Sequence, residues 1–409
     1  MSSIISFIKE KYYIIIPILS LSFWCLSVLI HENFFISILD TLRYDFLPLY
    51  NAGKQVYSNP ASLYDVQGYF YSPIFALVYG LLFSWQPTYI VWYVHYVFAF
   101  LLALLSLFEF NRILNFLKLE KGFVRVIINT LFMFGWPIYF IFFLNQAKFI
   151  VILSLLFIIR REIEFRSLKK EKNLKFFLIN YLILAFTLSI APYLIFLVLI
   201  FLVNDIDVKQ TFKKSNLYRI LLFLIILILQ NSLFLFFPNL IFDFIEKGLD
   251  FQRDFIQLMI FWNVSGLNLE VLSLIKIISV ISMALLSLYI WIFKNDLKIE
   301  VKVGYFTFAL LYLNAWKGYD MLLIALPYVY ILLIPELKRI DNWKIRKNIP
   351  FLIFFLSIFA ILIQMTYNET FFKYFPFLQN YPYIMLVNFR WFLPILIMSL
   401  TFLYLKLRK

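Results

Sequence analysis

Apolar runs about as long as a bilayer is thick recur along almost the whole of this chain, at 12–30, 88–110, 126–144, 147–159, 176–203, 217–237, 269–293, 303–316, 321–337, 349–365 and 385–405. A hydrocarbon core of about 30 Å takes about 20 apolar residues to cross as a helix. A spanning segment must also satisfy its own backbone hydrogen bonds. Continuous Leu, Ile and Phe runs without long alternating strands therefore predict helices. Hydrophobic residues make up 63% of the 409 and charged residues only 15%, a balance that excludes an ordinary soluble domain. The predicted fold class is all-α, a polytopic transmembrane helical bundle forming a single integral membrane domain over 1–409. The first run follows Lys9 and Lys11 as a secretory signal would, but it is too long and lacks a small-residue cleavage site. It reads as an uncleaved first helix. A lone cysteine, Cys25, excludes an intramolecular disulfide and a Cys-based metal site, and the only histidines, His31 and His95, are far apart.

The formal net charge of +14 would suit nucleic acid, but its placement argues against that partner. Lys and Arg gather between the apolar runs: Arg112 to Arg125, Arg160 to Lys175, Lys209 to Arg219, Lys294 to Lys302, Lys338 to Lys347, and the final Lys406, Arg408 and Lys409. This is the positive-inside pattern. Putting all these loops in the cytoplasm makes 12–30 run outward, 88–110 inward, 126–144 outward and 147–159 inward. The stretch 176–203 then crosses twice, turning near Ala191 and Pro192, and 217–237 ends outside. Five further crossings give about twelve, with both termini inside. The run 72–85 is hydrophobic enough to cross but would invert the loop 112–125. It is expected as a juxtamembrane helix in a first external loop, 31–87; the alternative is a true crossing with a basic outer loop. A second large external loop is expected at 238–268. Polar residues gathered at one face of so hydrophobic a chain are costly unless used, and that face is where a site is expected.

The first external loop carries three elements: Asp45-Phe46-Leu47-Pro48-Leu49-Tyr50-Asn51-Ala52, then Leu63-Tyr64-Asp65, then Tyr71-Ser72-Pro73-Ile74-Phe75. In this order and spacing they resemble the GT-C superfamily of membrane glycosyltransferases, most closely its polyprenyl-phosphate-mannose-dependent mannosyltransferases. Asn145-Gln146-Ala147-Lys148 is similar to that family's Gly-Gln-x-Asn element, Asn263-Val264-Ser265 to its Asn-x-Ser element, and Trp316-Lys317-Gly318-Tyr319-Asp320 with Pro327 to its Trp-led turn. The resemblance covers about residues 40 to 335. Two departures stand out: Ala191-Pro192 replaces a Lys-Pro, and Trp316-Lys317-Gly318-Tyr319 replaces a Trp-Asp-His-like turn.

What the resemblance implies is an inverting glycosyltransferase that moves a hexose, mannose by analogy, from a polyprenyl-phosphate sugar to a glycan or glycolipid acceptor. The active site would lie on the extracytoplasmic side of the cell membrane. Such chemistry needs a base, and a partly desolvated carboxylate at the membrane surface suits that task. Asp45 is the candidate base; from position alone it reads equally as the cap of a short helix. Asp40 competes below it, and Asp65 belongs to turn-forming sequence with Asn59 and Pro60. Fixed cations must face the leaving phosphate. Arg43, Lys148, Arg253 and Lys317 are the candidates, although any single Lys also snorkels to headgroups. Lys276 reads as snorkelling or internally paired. Tyr50, Tyr71, Asn145, Gln146, Asn263, Trp316, Tyr319 and Asp320 have the rings and amides that bind sugars; singly, each also reads as an interfacial anchor or a cap. No nucleotide cofactor is expected and no metal ligand set is assigned, since Asp45 has no adjacent acidic partner. The rivals are a transporter or flippase of lipid-linked sugars, which would show internal repeats and a midplane ionisable site, and a glycan ligase or polymerase.

Overall fold

In a computed structural model the protein is described over residues 2–35, 46–119, 122–134, 146, 148–191, 214–247 and 298–303, with isolated positions elsewhere. These residues form α1 (Ser2–Phe35), α2 (Phe46–Ser58), a 3-10 turn (Pro60–Asp65), α3 (Pro73–Phe83), α4 (Thr88–Phe116), α5 (Phe123–Met133), α6 (Lys148–Ser167), α7 (Leu174–Ile190), α8 (Lys214–Gln230) and α9 (Leu233–Phe236). A further helix follows at 239–247. Among the described residues there is no strand. Two helical stretches, Lys11–Ile30 and Thr88–Phe116, are long and apolar enough to cross a membrane.

Cross-contacts fix the direction of each helix. Tyr13 of α1 accepts at its carbonyl from Asn129 of α5 (2.8 Å), while Cys25 accepts from the Tyr96 hydroxyl of α4 (2.9 Å). Tyr96 stacks near Phe142, which meets Phe149 of α6, and further along α4 Glu109 pairs with Arg160 of α6. Hence α4 and α6 are parallel, and α1 opposes α4. Arg125 in the first turn of α5 and Trp24 against Phe134 at its close make α5 run with α1. In α7, Phe176 lies beside Arg161, and Ser189 accepts from the Ser72 amide (3.0 Å). Arg219 on Phe177, Phe223 on Tyr181 and Asn231 at Ser72 make α8 parallel to α7. These relative directions are those the distribution of Lys and Arg predicts for the same runs.

The two ends of the bundle differ in chemistry. At one end α4, α6 and 298–303 are joined by charge: Glu109 with Arg112 and Arg160, Arg160 with Glu164, Lys172 with Glu162, and Arg166 with Glu300 through two bonds of 2.7 and 2.8 Å. Three of the basic loops inferred from sequence therefore share one end. Several of their charges stand on helices instead, because α6 continues past its apolar run to Ser167. Arg, Glu and Lys sustain a helix, and the i,i+4 pair Arg160–Glu164 supports it. Arg125, expected as a loop cation, is 1% exposed. It donates to Asn111 Oδ1 (3.0 Å), Asn115 Oδ1 (2.8 Å), the Asn111 carbonyl (2.9 Å) and the Leu119 carbonyl (3.3 Å).

The 72–85 run folds as α3, only 11 residues long. At 1.5 Å per residue it reaches about 16 Å, half of a hydrocarbon core. Pro73 starts it, where a missing N–H costs nothing. It packs along α2 through Gly53 and Gly80, where the backbones touch: a Cβ on Gly53 would lie 2.8 Å from the Gly80 Cα. Small residues permit this approach. The 217–237 run is likewise interrupted, α8 giving way to α9 at Asn231 and Ser232.

Candidate functional site

The stretch from α2 to Gln86 is built as a knot of tyrosines around the start of α3. Tyr64 donates its hydroxyl to the Tyr71 carbonyl (2.9 Å) and Tyr69 to the Ser72 carbonyl (2.8 Å). The second and third sequence elements are therefore bonded to each other. The first joins them through α2: Tyr50 donates to the Gln86 carbonyl (2.8 Å), and its own carbonyl accepts from Ser84 Oγ (3.0 Å). Tyr71 is buried against Tyr69, Phe70 and Phe75. As placed, the hydroxyls of Tyr50 and Tyr64 serve backbone carbonyls, which closes the loop on itself.

Burial shapes the electrostatics of this knot. It pushes the Tyr64 phenol well above the usual range, helped by the nearby charge of Asp243. Burial does the same to Tyr69, reinforced by Tyr64 and Tyr71 and opposed by the Ala76 N–H acting on its oxygen. The Tyr79 phenol is raised by burial alone. Each phenol is held neutral, and those of Tyr64 and Tyr69 act as hydrogen-bond donors rather than bases.

Two helix ends complete this end of the bundle. Ser72 binds Ser189 of α7 through its amide and donates its hydroxyl to Asn231 in the break between α8 and α9. Phe244, in the helix opening the 238–268 stretch, packs on Tyr64 with ring centroids 5.8 Å apart. The first loop and the start of the second thus meet. Lys148 and Gln146 lie at the start of α6, the same end by the directions above, and are 7% and 1% exposed. Phe46, first residue of α2, is fully buried beside Tyr50, Tyr79 and His95, the last at 5.5 Å between centroids.

Of the residues expected to act, the structure brings Tyr50, Tyr71, Gln146 and Lys148 to one end. Arg43, Asp45, Asn145, Arg253, Asn263, Trp316, Lys317, Tyr319 and Asp320 lie outside the described residues, as do Asp40 and Lys276. Ser72, Tyr69, Ser189, Asn231 and His95 were not singled out from sequence as site residues. The Ser-Pro step before α3 is a signal that could have marked Ser72; nothing local marks Asn231 as its partner. Among the described residues no group of three His, Cys, Asp or Glu side chains converges to hold a metal.

Among the described residues these features define an all-helical protein with two helices apolar and long enough for a membrane and a tyrosine-knotted polar end. Comparison with known protein families, with characterised proteins and with solved structures gives no match.

Proposed function

We propose that this protein is a polytopic membrane glycosyltransferase that uses a polyprenyl-phosphate hexose, mannose by its resemblance, on the extracytoplasmic face. The observation that carries the reading is the gathering of the motif-bearing first loop, the start of α6 with Gln146 and Lys148, and the opening of the 238–268 stretch at one end. The ion-paired basic residues stand at the other. By the charge rule the basic end is cytoplasmic, which puts the knotted loop outside.

In this reading an acceptor hydroxyl loses its proton to Asp45 and attacks the anomeric carbon. The new oxygen–carbon bond forms as the bond to the lipid phosphate breaks on the opposite face, so the configuration inverts. Lys148 is the candidate among the described residues for the cation that faces the departing phosphate; Arg43, Arg253 and Lys317 are the others proposed. Tyr71, Gln146 and the remaining amides and rings orient the sugar. A flippase is favoured only by the helix break at Asn231 and Ser232, a feature shared with transporters. That break lies at the loop end rather than midway along the bundle, so the enzymatic reading is preferred.

The test is transfer from a radiolabelled polyprenyl-phosphate mannose by detergent-purified protein. Wild type transfers and Asp45→Asn loses about 10²-fold or more in rate with unchanged thermal unfolding. Equal transfer by both would remove Asp45 from the mechanism. Activity restricted to movement of the donor across sealed vesicles, with no transfer in detergent, would favour the flippase.

A further inference from the structure

Arg161 differs from the other arginines at the basic end of α6. Arg160 binds Glu109 and Glu164, and Arg166 binds Glu300. Arg161 makes no ion pair among the described residues: the neighbouring Glu162 is bound to Lys172 and Glu164 to Arg160. Its guanidinium is instead held between two phenyl rings, 5.5 Å from the Phe157 centroid and 4.8 Å from that of Phe176. One of its N–H groups reaches the Phe176 carbonyl at 3.4 Å, and its Nε–H has no acceptor. A planar donor fork is thus held against aromatic rings outside any ion pair, with Glu162 and Glu164 acting on its charge only from beyond ion-pair distance.

An apolar seam leads away from that fork. On α6 the half-buried positions Ile150, Leu153 and Phe157 recur at helical spacing and end at Arg161. On α7, Ile179, Ile183 and Phe186 are half-buried on the side of Phe176, which packs against Phe165 of α6. From Phe176 to Phe186 the helix rises about 15 Å, close to the length of a phospholipid acyl chain. Arg219 on Phe177 adds positive charge beside the entrance.

We propose that Arg161 anchors the headgroup phosphate of an anionic phospholipid whose acyl chain lies along the α6–α7 seam. The inference rests on the membrane reading above and concerns the end opposite the proposed reaction site. Charge complementarity selects an anionic lipid. A half-buried planar fork outside any ion pair suits a phosphate oxygen pair, and basic pockets between membrane helices on the cytoplasmic side bind such headgroups.

The test uses full-length protein in mixed micelles, with lipid retention read by native mass spectrometry. Phosphatidylglycerol is expected to be retained about fivefold better than phosphatidylcholine. The preference persists in Arg112→Gln, an exposed position at the same end, and disappears in Arg161→Gln. Arg161→Lys, which keeps the charge without the planar fork, retains part of it and serves if the Gln variant does not fold. Equal preference in wild type and Arg161→Gln overturns the site, as does no preference in wild type. Displacement of the lipid by millimolar inorganic phosphate overturns the lipid assignment in favour of a free anion. Cell fractionation separates the two readings. Recovery in membranes without lipid preference sinks this site alone, whereas recovery as soluble protein sinks the membrane reading with it.

Discussion

Replacing Gly80 by alanine tests the α2–α3 crossing that supports the tyrosine knot. A Cβ there would lie 2.7 Å from Tyr57 Cε2 and 3.0 Å from the Gly53 carbonyl carbon, with the carbonyl oxygen closer still. Carbon atoms rest at about 3.5 Å or more, so the two helices must part by about 0.5–1 Å. Overpacking of this kind costs about 1–3 kcal/mol. A helical alanine gains about 1 kcal/mol over glycine, so the net loss is about 0–2 kcal/mol for Gly80→Ala. Gly80→Leu, with three more carbons and little further gain in propensity, should lose about 3 kcal/mol or more. Gly53→Ala should behave like Gly80→Ala, since its Cβ meets Gly80 and Ser84. Asn51→Ala, exposed on α2, should gain a few tenths of a kcal/mol from propensity. The assay is unfolding of the detergent-purified protein, followed by tryptophan fluorescence. A stabilisation of about 1 kcal/mol by Gly80→Ala, the value for an uncrowded helix, would refute the backbone contact.

Two further outcomes follow from the same packing. The buried Tyr64 and Tyr69 phenols have folded pKa values raised above those of the unfolded chain. The neutral form is favoured in the folded loop, so stability is fully present below the unfolded phenol value of about 10 and is lost as pH rises beyond it. Tyrosinate absorbance should show these two phenols ionising only with unfolding, and a loop stable at pH 12 would contradict this. Arg125→Met leaves buried amide and carbonyl acceptors without their donor and should cost about 1–3 kcal/mol. Arg112→Met, at a pair whose arginine side chain is 61% exposed, should cost less than about 1 kcal/mol. Equal thermal shifts for the two variants would mean Arg125 is solvated.

The tyrosine knot shows why part of the site was unreadable. Tyr50, Tyr64 and Tyr71 stood out as aromatic residues in a polar loop, and ring chemistry alone fits either a sugar platform or a packing anchor. Which one a tyrosine becomes depends on what its hydroxyl meets. Here Tyr50 and Tyr64 meet carbonyls 36 and 7 residues away. Ser72 reads locally as the residue before a helix, yet it ties α3 to Asn231, 159 residues on. No local pattern encodes a partner at that distance.

Sequence alone pointed to helices at the apolar runs, and among the described residues 12–30, 88–110 and 148–159 are helical. The alternation of apolar runs with basic stretches also matches the relative directions of α1 and α4 to α8. The tertiary structure decided the rest: that 72–85 is a half-length helix pressed on α2 at Gly53 and Gly80, and that α8 breaks at Asn231. It also decided that Arg125 lies inside the bundle with neutral acceptors while Arg161 stands near two rings outside any ion pair. The division is physical. Solvation by lipid or water acts on each residue by its own chemistry and is written locally, whereas close packing and hydrogen-bond partners exist only once distant segments meet.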